Sequence, residues 1–103
     1  MSDKLTWEWH ARAEKEMRKL PLAASAKLNE AIGRYLKGGA RQREIESMTG
    51  HSKLWEVRVQ AANGWPRVLF WKDGAHCTGL AVFMKKSNKT PADQIEKALK
   101  RRP

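Results

Sequence analysis

Cysteine is nearly absent: Cys77 stands alone among 103 residues, so neither an internal disulfide framework nor a cysteine-rich zinc site can form within the chain. Long apolar runs are missing too. The longest stretch without Asp, Glu, Lys or Arg is Gly74–Met84, well short of the ~20 residues that a membrane-spanning helix needs. No secretory leader is expected, because Lys, Arg and Glu interrupt the first twenty residues. A glycine-rich phosphate loop, a Gly-x-Ser-x-Gly elbow, internal repeats and linker-like segments are also lacking. These absences predict one cytoplasmic domain over residues 1–103 with no membrane partner. The 41% of hydrophobic residues supplies a modest core.

Acidic residues are the remaining scarcity. Eleven Asp and Glu oppose 21 Lys and Arg, for a net charge of +10. Most of the excess falls in residues 51–103, where eleven basic groups meet four acidic ones. A field of that sign attracts polyanions, either nucleic acid or an acidic protein. No long helix pairs a basic face with a strongly apolar one, which argues against a membrane surface.

The hydropathy pattern changes period along the chain. Trp9, Ala13, Met17 and Leu20 recur at helical spacing, and a short strand through Leu5, Trp7 and Trp9 could precede that helix. Pro21 separates it from a second helix carrying Leu28, Ala31, Ile32, Tyr35 and Leu36, which Gly38-Gly39 ends. Residues 40–53 are polar and read as a loop. From Leu54 the period is two: Trp55, Val57 and Val59 face one way, and Leu54, Glu56, Arg58 and Gln60 the other. Asn63-Gly64 and Asp73-Gly74 mark turns between this strand, a second over Arg67–Lys72 and a third over Thr78–Met84. Connections this short imply an antiparallel meander. Thr90 suits an N-cap, with Pro91 opening and Asp93 supporting a last helix whose apolar face is Ile95, Ala98 and Leu99. The expected class is α+β, with two N-terminal helices packed on a twisted antiparallel sheet and a C-terminal helix.

Familiar catalytic constellations are set aside on spacing. His10, His51 and His76 are scattered and read as surface or packing residues. Cys77 adjoins His76, but neighbouring strand residues point to opposite faces, so a thiol–imidazole pair is geometrically poor and Cys77 reads as a small apolar residue. The pairs Glu14/Glu16 and Glu44/Glu46 read as solvated faces, and no metal site is expected. What remains is basic. Arg58 lies inside the first meander strand, Arg67 opens the second, Lys85 and Lys86 close the third, and Lys89 precedes the last helix. Cations delivered to one surface by three adjacent strands would build a groove for a phosphodiester; the same charges could instead be solvent-facing edge protection. Trp7, Trp9 and Trp55 fit a core, whereas Trp65 and Trp71 could stack on bases. Lys53, Arg101 and Arg102 complete the expected RNA-binding set.

The segments Leu54-Trp55-Glu56-Val57-Arg58-Val59, Arg67-Val68-Leu69-Phe70-Trp71 and Val82-Phe83-Met84-Lys85-Lys86-Ser87-Asn88-Lys89-Thr90-Pro91 resemble, in this order, those of the HigB-type toxins. These form the phage-derived branch of the RelE/ParE toxin superfamily. The resemblance implies the toxin of a type II toxin–antitoxin system, an mRNA endonuclease acting on the ribosome. It implies a helix-turn-helix, HigA-like antitoxin, with operator DNA bound only through that partner. Neither cofactor nor metal is implied, and cleavage would be a transesterification by the 2′-hydroxyl. By position, Arg58 and Arg67 would hold the scissile phosphate, and Lys85, Lys86 and Lys89 would supply phosphate contacts and proton transfer. Some relatives carry His or Tyr near the end of the third strand, where this chain has Ala81, Val82 and Met84; Trp65-Pro66 stands where an aromatic turn is common. A ParE-like gyrase poison and a non-catalytic nucleic-acid-binding remnant are the alternative readings.

Overall fold

The structure is a computed structural model that describes residues 4–41, 43–62, 64–85 and 90–103. Along these the elements run β1 (Thr6–Trp9), α1 (Ala11–Lys19), α2 (Leu22–Leu36), β2 (Ile45–Met48), β3 (His51–Arg58), β4 (Trp65–Asp73), β5 (His76–Lys85) and α3 (Ala92–Lys100). Asn63, Lys86 and Lys89 lie outside the described residues, so the expected turn at Asn63-Gly64 is seen only through Gly64.

Helix α1 buries Ala13 and Met17, one turn apart, as the spacing predicts. Trp9 belongs to β1 instead of that helix, because His10 caps α1: its Nδ1 accepts the Arg12 N–H at 3.2 Å. Helix α2 buries Ala24, Leu28, Ala31 and Ile32 and leads into Gly38, whose φ of 80° turns the chain away. Both helices cover one face of the sheet, over Val57, Val68, Phe70 and Val82.

The five strands are ordered β1-β5-β4-β3-β2. Two features differ from the expected meander. The polar stretch 40–53 is not all loop: it holds β2 and the start of β3, joined through Gly50 at φ 85°. Edge strand β2 has the burial pattern of neither a clean alternation nor an apolar run, and its identity comes from pairing, Ile45 with Val57 and Ser47 with Trp55. The sheet is also mixed, because β1 pairs with β5 in parallel. Glycine is required at that seam. A Cβ on Gly79 would collide with the Trp9 ring and lie 3.1 Å from Trp7, whose own rings meet edge to face.

Helix α3 lies on the opposite face, where Ala98, Ile95 and Leu99 pack over Leu54, Leu69, Leu80 and Phe83. Its cap departs from expectation: Pro91 precedes the first helical residue without a side-chain capping bond, and the Thr90 hydroxyl is committed to Glu56. Strand alternation from Leu54 carries this same face on to Glu56 and Arg58.

Two carboxylates read as solvated, Glu16 and Glu44, are structural, and a third, Glu46, is exposed as expected yet ion-paired. Glu16 accepts from Arg101 and from the Val82 N–H at 3.1 Å, tying α1 to β5 and the end of α3. Burial pushes its carboxyl up, but the Arg101 hydrogen bonds, the Val82 N–H and nearby Lys97 together hold it below the usual value. Glu44 pairs with Arg34 of α2, which lowers its pKa, and Glu46 accepts from Arg58 at 2.6 Å. Each stands beside an arginine that is distant in sequence, a pairing local spacing does not reveal.

Candidate active site

Register sets the site. Strands β3 and β4 pair so that Arg58 and Arg67 are direct cross-strand partners, and β4 and β5 pair Trp65 with Lys85. Alternation then places Glu56, Arg58, Trp65, Arg67 and Lys85 on the face that also carries α3. Of the five cations expected to converge, Arg58, Arg67 and Lys85 share this face, and Lys86 and Lys89 lie outside the described residues.

The two arginines are held differently. Arg67 is buried, with a side chain 7% exposed, and its Nη1 donates to the carbonyls of Val59 at 2.8 Å and Pro66 at 2.9 Å. Its Nε, also buried, has no hydrogen-bond acceptor among the described residues and stands 4.0 Å from Glu56 Oε1. Burial pushes the Arg67 pKa down; Glu56 opposes that and Arg58 adds to it. Arg58 is 32% exposed and reaches Glu46 at 2.6 Å and Glu56 at 3.6 Å. Arg58 can thus meet an incoming anion, while Arg67 forms a fixed positive wall behind it.

Lys85 is 2% exposed, and desolvation lowers its pKa, Glu56 acting upward and Arg67 and Arg58 downward. A lysine held this way releases its proton more readily than one in water. Glu56 sits among all three cations, and its Oε2 accepts the Thr90 hydroxyl at 2.6 Å. Sequence reading passed over Glu56. The available signal was its strand position, two residues from Arg58 and between inward-facing Trp55 and Val57.

Over residues 15–103 the chain matches the family described as Phage derived protein Gp49-like. The chain belongs to that family. The Gp49-like chain is also 40% identical over 88 residues to the Mycobacterium tuberculosis protein named Probable endoribonuclease HigB1, a match covering 85% of this chain and 69% of that protein. Among solved structures, a doubly substituted Escherichia coli toxin RelE in the free state superposes with a TM-score of 0.72 at 16% identity, covering 96% of this chain and 98% of that one. The toxin–antitoxin complex RelBE2 from M. tuberculosis gives 0.61 at 18% identity, covering 81% of this chain and 100% of the matched one. The fold of the Gp49-like chain is that of the RelE toxins.

The expected RNA contacts of the Gp49-like chain fall into two groups, with Arg101 apart from both. Trp65, 37% exposed, joins the arginine pair; it begins β4 instead of lying in the preceding turn. Lys53, Trp71 and Arg102 line a separate cleft of about 410 Å³ between the β2–β3 turn and the end of α3. Lys53 there pairs with Asp73 at 3.3 Å, and the Arg102 guanidinium lies 5.9 Å from the Trp71 ring centre. Since Lys53 precedes Arg58 by five strand residues, the two are separated by roughly 17 Å. Arg101 belongs to neither group. Its guanidinium is bound to Glu16 and to the Leu80 carbonyl at 2.9 Å, a brace between helix and sheet. His76 and Cys77 point apart as expected: His76 meets Glu8 at 3.0 Å, and Cys77 is buried, which raises its thiol pKa. Among the described residues no group of His, Cys, Asp and Glu has the arrangement of a metal site.

Proposed function

We propose that this chain is the toxin of a toxin–antitoxin pair and an endoribonuclease that cleaves mRNA on the ribosome. The observation that carries the reading is the cross-strand Arg58–Arg67 pair with Lys85 on the same face. The 40% identity to a probable endoribonuclease supports the activity, and a structural neighbour solved with its antitoxin supports the kind of partner.

In the proposed reaction a ribose 2′-hydroxyl attacks the adjoining phosphorus, the bond to the departing 5′-oxygen breaks, and a 2′,3′-cyclic phosphate remains. The attacking hydroxyl loses a proton and the leaving oxygen gains one, so the balance needs a base and an acid. Arg58 and Arg67 would stabilise the extra charge on the phosphoryl oxygens, acting as preorganised donors. Lys85, with its lowered pKa, is the described group suited to moving a proton there. Lys86 and Lys89 remain candidates for phosphate contact and proton transfer. The ribosome would supply the codon in an aligned conformation that so few side chains cannot impose alone. A helix-turn-helix antitoxin would silence the toxin and carry the pair to operator DNA, and the site of action would be the cytoplasm.

Mapping mRNA 5′ ends after a brief pulse of expression tests this. New ends should appear with the parent chain and vanish with Arg58→Glu. Growth arrest without new ends, unaffected by that charge reversal, would instead favour a gyrase poison and overturn the nuclease reading.

A further inference from the structure

Among the described residues, five have a left-handed backbone: Gly38, Gly50, Gly64, Gly74 and Arg43. Four are the residue type that adopts it freely; Arg43, at φ 67°, is not. Its neighbours hold it there. The Glu44 N–H donates to the Arg41 carbonyl at 3.1 Å, and the Glu44 carboxylate accepts the Arg41 N–H at 3.0 Å and the Arg34 Nε–H at 3.2 Å. A glycine at position 43 would remove the strain, so the arginine side chain has a use that the turn itself does not explain.

Arg43 lines a shallow hollow of about 220 Å³ together with Glu44, Arg58, Arg67, Val59, Gln60 and Trp65; the Glu44 carboxylate there is already engaged by Arg34 and the Arg41 N–H. Three arginines, one paired glutamate and the exposed Trp65 therefore border one hollow, smaller than the ~300–1,000 Å³ of ordinary small-molecule pockets. Its chemistry is that of a single splayed nucleotide: a flat apolar ring for a base, and cations for the phosphates on either side.

We propose that Arg43 and Trp65 form a nucleotide-seating subsite beside the Arg58–Arg67 pair, Trp65 stacking the base next to the scissile linkage and Arg43 holding the adjoining phosphate. The proposal rests on the reading of the chain as an RNA-directed enzyme and extends it to residues outside the reacting linkage. Arg43 is a positioning residue here and takes no part in bond making.

The test uses the full chain and a short single-stranded oligonucleotide of mixed sequence with 2′-O-methyl sugars, which blocks the attacking hydroxyl so that binding is read without cleavage. Dissociation constants are measured across a salt series for the parent, Arg43→Gly, Arg43→Lys and Trp65→Ala. Trp65→Ala should weaken binding by about tenfold with an unchanged salt slope, because stacking releases no counterions. Arg43→Gly should lower the slope by about 0.7, one phosphate contact on a single strand, and Arg43→Lys should restore it. Glycine takes the left-handed conformation without strain, so the Arg43→Gly thermal midpoint should not fall below the parent's, which separates lost contact from lost fold. An unchanged slope in Arg43→Gly, or a parent chain that does not bind the oligonucleotide, overturns the subsite. If the binding pattern holds while expression produces no new mRNA ends, the nuclease reading fails and the subsite stands.

Discussion

Replacing Glu56 by glutamine removes one negative charge from the middle of three cations while keeping the side chain's shape. Its carboxylate oxygen lies 3.6 Å from Arg58 Nε and 4.0 Å from Arg67 Nε. At an effective dielectric of ~20, each contact is worth about 4 kcal/mol before desolvation is counted. Little of the Arg58 share survives, since that side chain is partly hydrated and also holds Glu46. The Arg67 share does survive, because both partners are buried and a guanidinium anchored on two carbonyls cannot turn to water. The Thr90 hydroxyl keeps an acceptor in the glutamine carbonyl. The net loss should be about 3 kcal/mol at neutral pH, in the range for breaking a buried ion pair from one side.

Urea unfolding of parent and Glu56→Gln measures that loss, and two further readouts identify its origin. Inorganic phosphate or RNA should narrow the gap, because an anion in the site replaces the missing charge and binds only the folded chain. Raising the pH should narrow it too. The Lys85 pKa is already below its ordinary 10.5, so the folded chain holds that proton less firmly than the unfolded one. Stability attributable to Lys85 therefore rises with pH between its depressed value and 10.5, and more so once Glu56 no longer supports the charged form. A variant as stable as the parent, or one that binds RNA less tightly, would refute the assignment of Glu56 as the internal counter-charge.

At the β1–β5 seam, Gly79→Ala should cost about 1–3 kcal/mol as the Trp9 and Trp7 rings are displaced, lowering the thermal midpoint by roughly 4–8 °C per kcal/mol without altering the charged site. For Glu16→Gln the expected loss is about 1.5–3 kcal/mol at neutral pH, read from denaturation midpoints. The Glu16 pKa is held below 4.5, so its contribution is full above that value and fades as the pH falls through the depressed one. The two chains should converge in acid, and a gap that persists there would mean packing, not charge, is responsible.

The readable part of the fold was the part with a strong period. Leu54–Arg58 was readable from its period of two, Leu54 packing on one sheet face and Val57 on the other, and the charges at Arg58 and Arg67 stood out against that pattern. Strand β2 was not readable because it sits at an edge with Glu46 and Ser47 exposed, so partner register defines it in place of hydropathy. Glu56 has the same alternation as Arg58 but the sign opposite to the one sought. Arg101 and Arg102 look equivalent in sequence, yet after α3 they diverge, one to Glu16 and the other to Trp71. Arg43 gave no signal at all, since an arginine in a polar loop does not advertise a positive φ.

A cation cluster in a chain of net charge +10 must be held together against its own repulsion. Here backbone carbonyls, one buried carboxylate and the strand register do the holding, and the guanidinium of Arg67 is fixed before any anion arrives. Fixed charges of this kind stabilise developing negative charge without reorganising, which suits a reaction at a phosphodiester. The same arrangement weakens the resting fold, because desolvated Arg67 and Lys85 would each be more comfortable neutral or in water. Substitutions that relieve this repulsion, such as Lys85→Met, should therefore raise the denaturation midpoint while reducing RNA binding. Stability and affinity should move in opposite directions at this cluster and together everywhere else in the core.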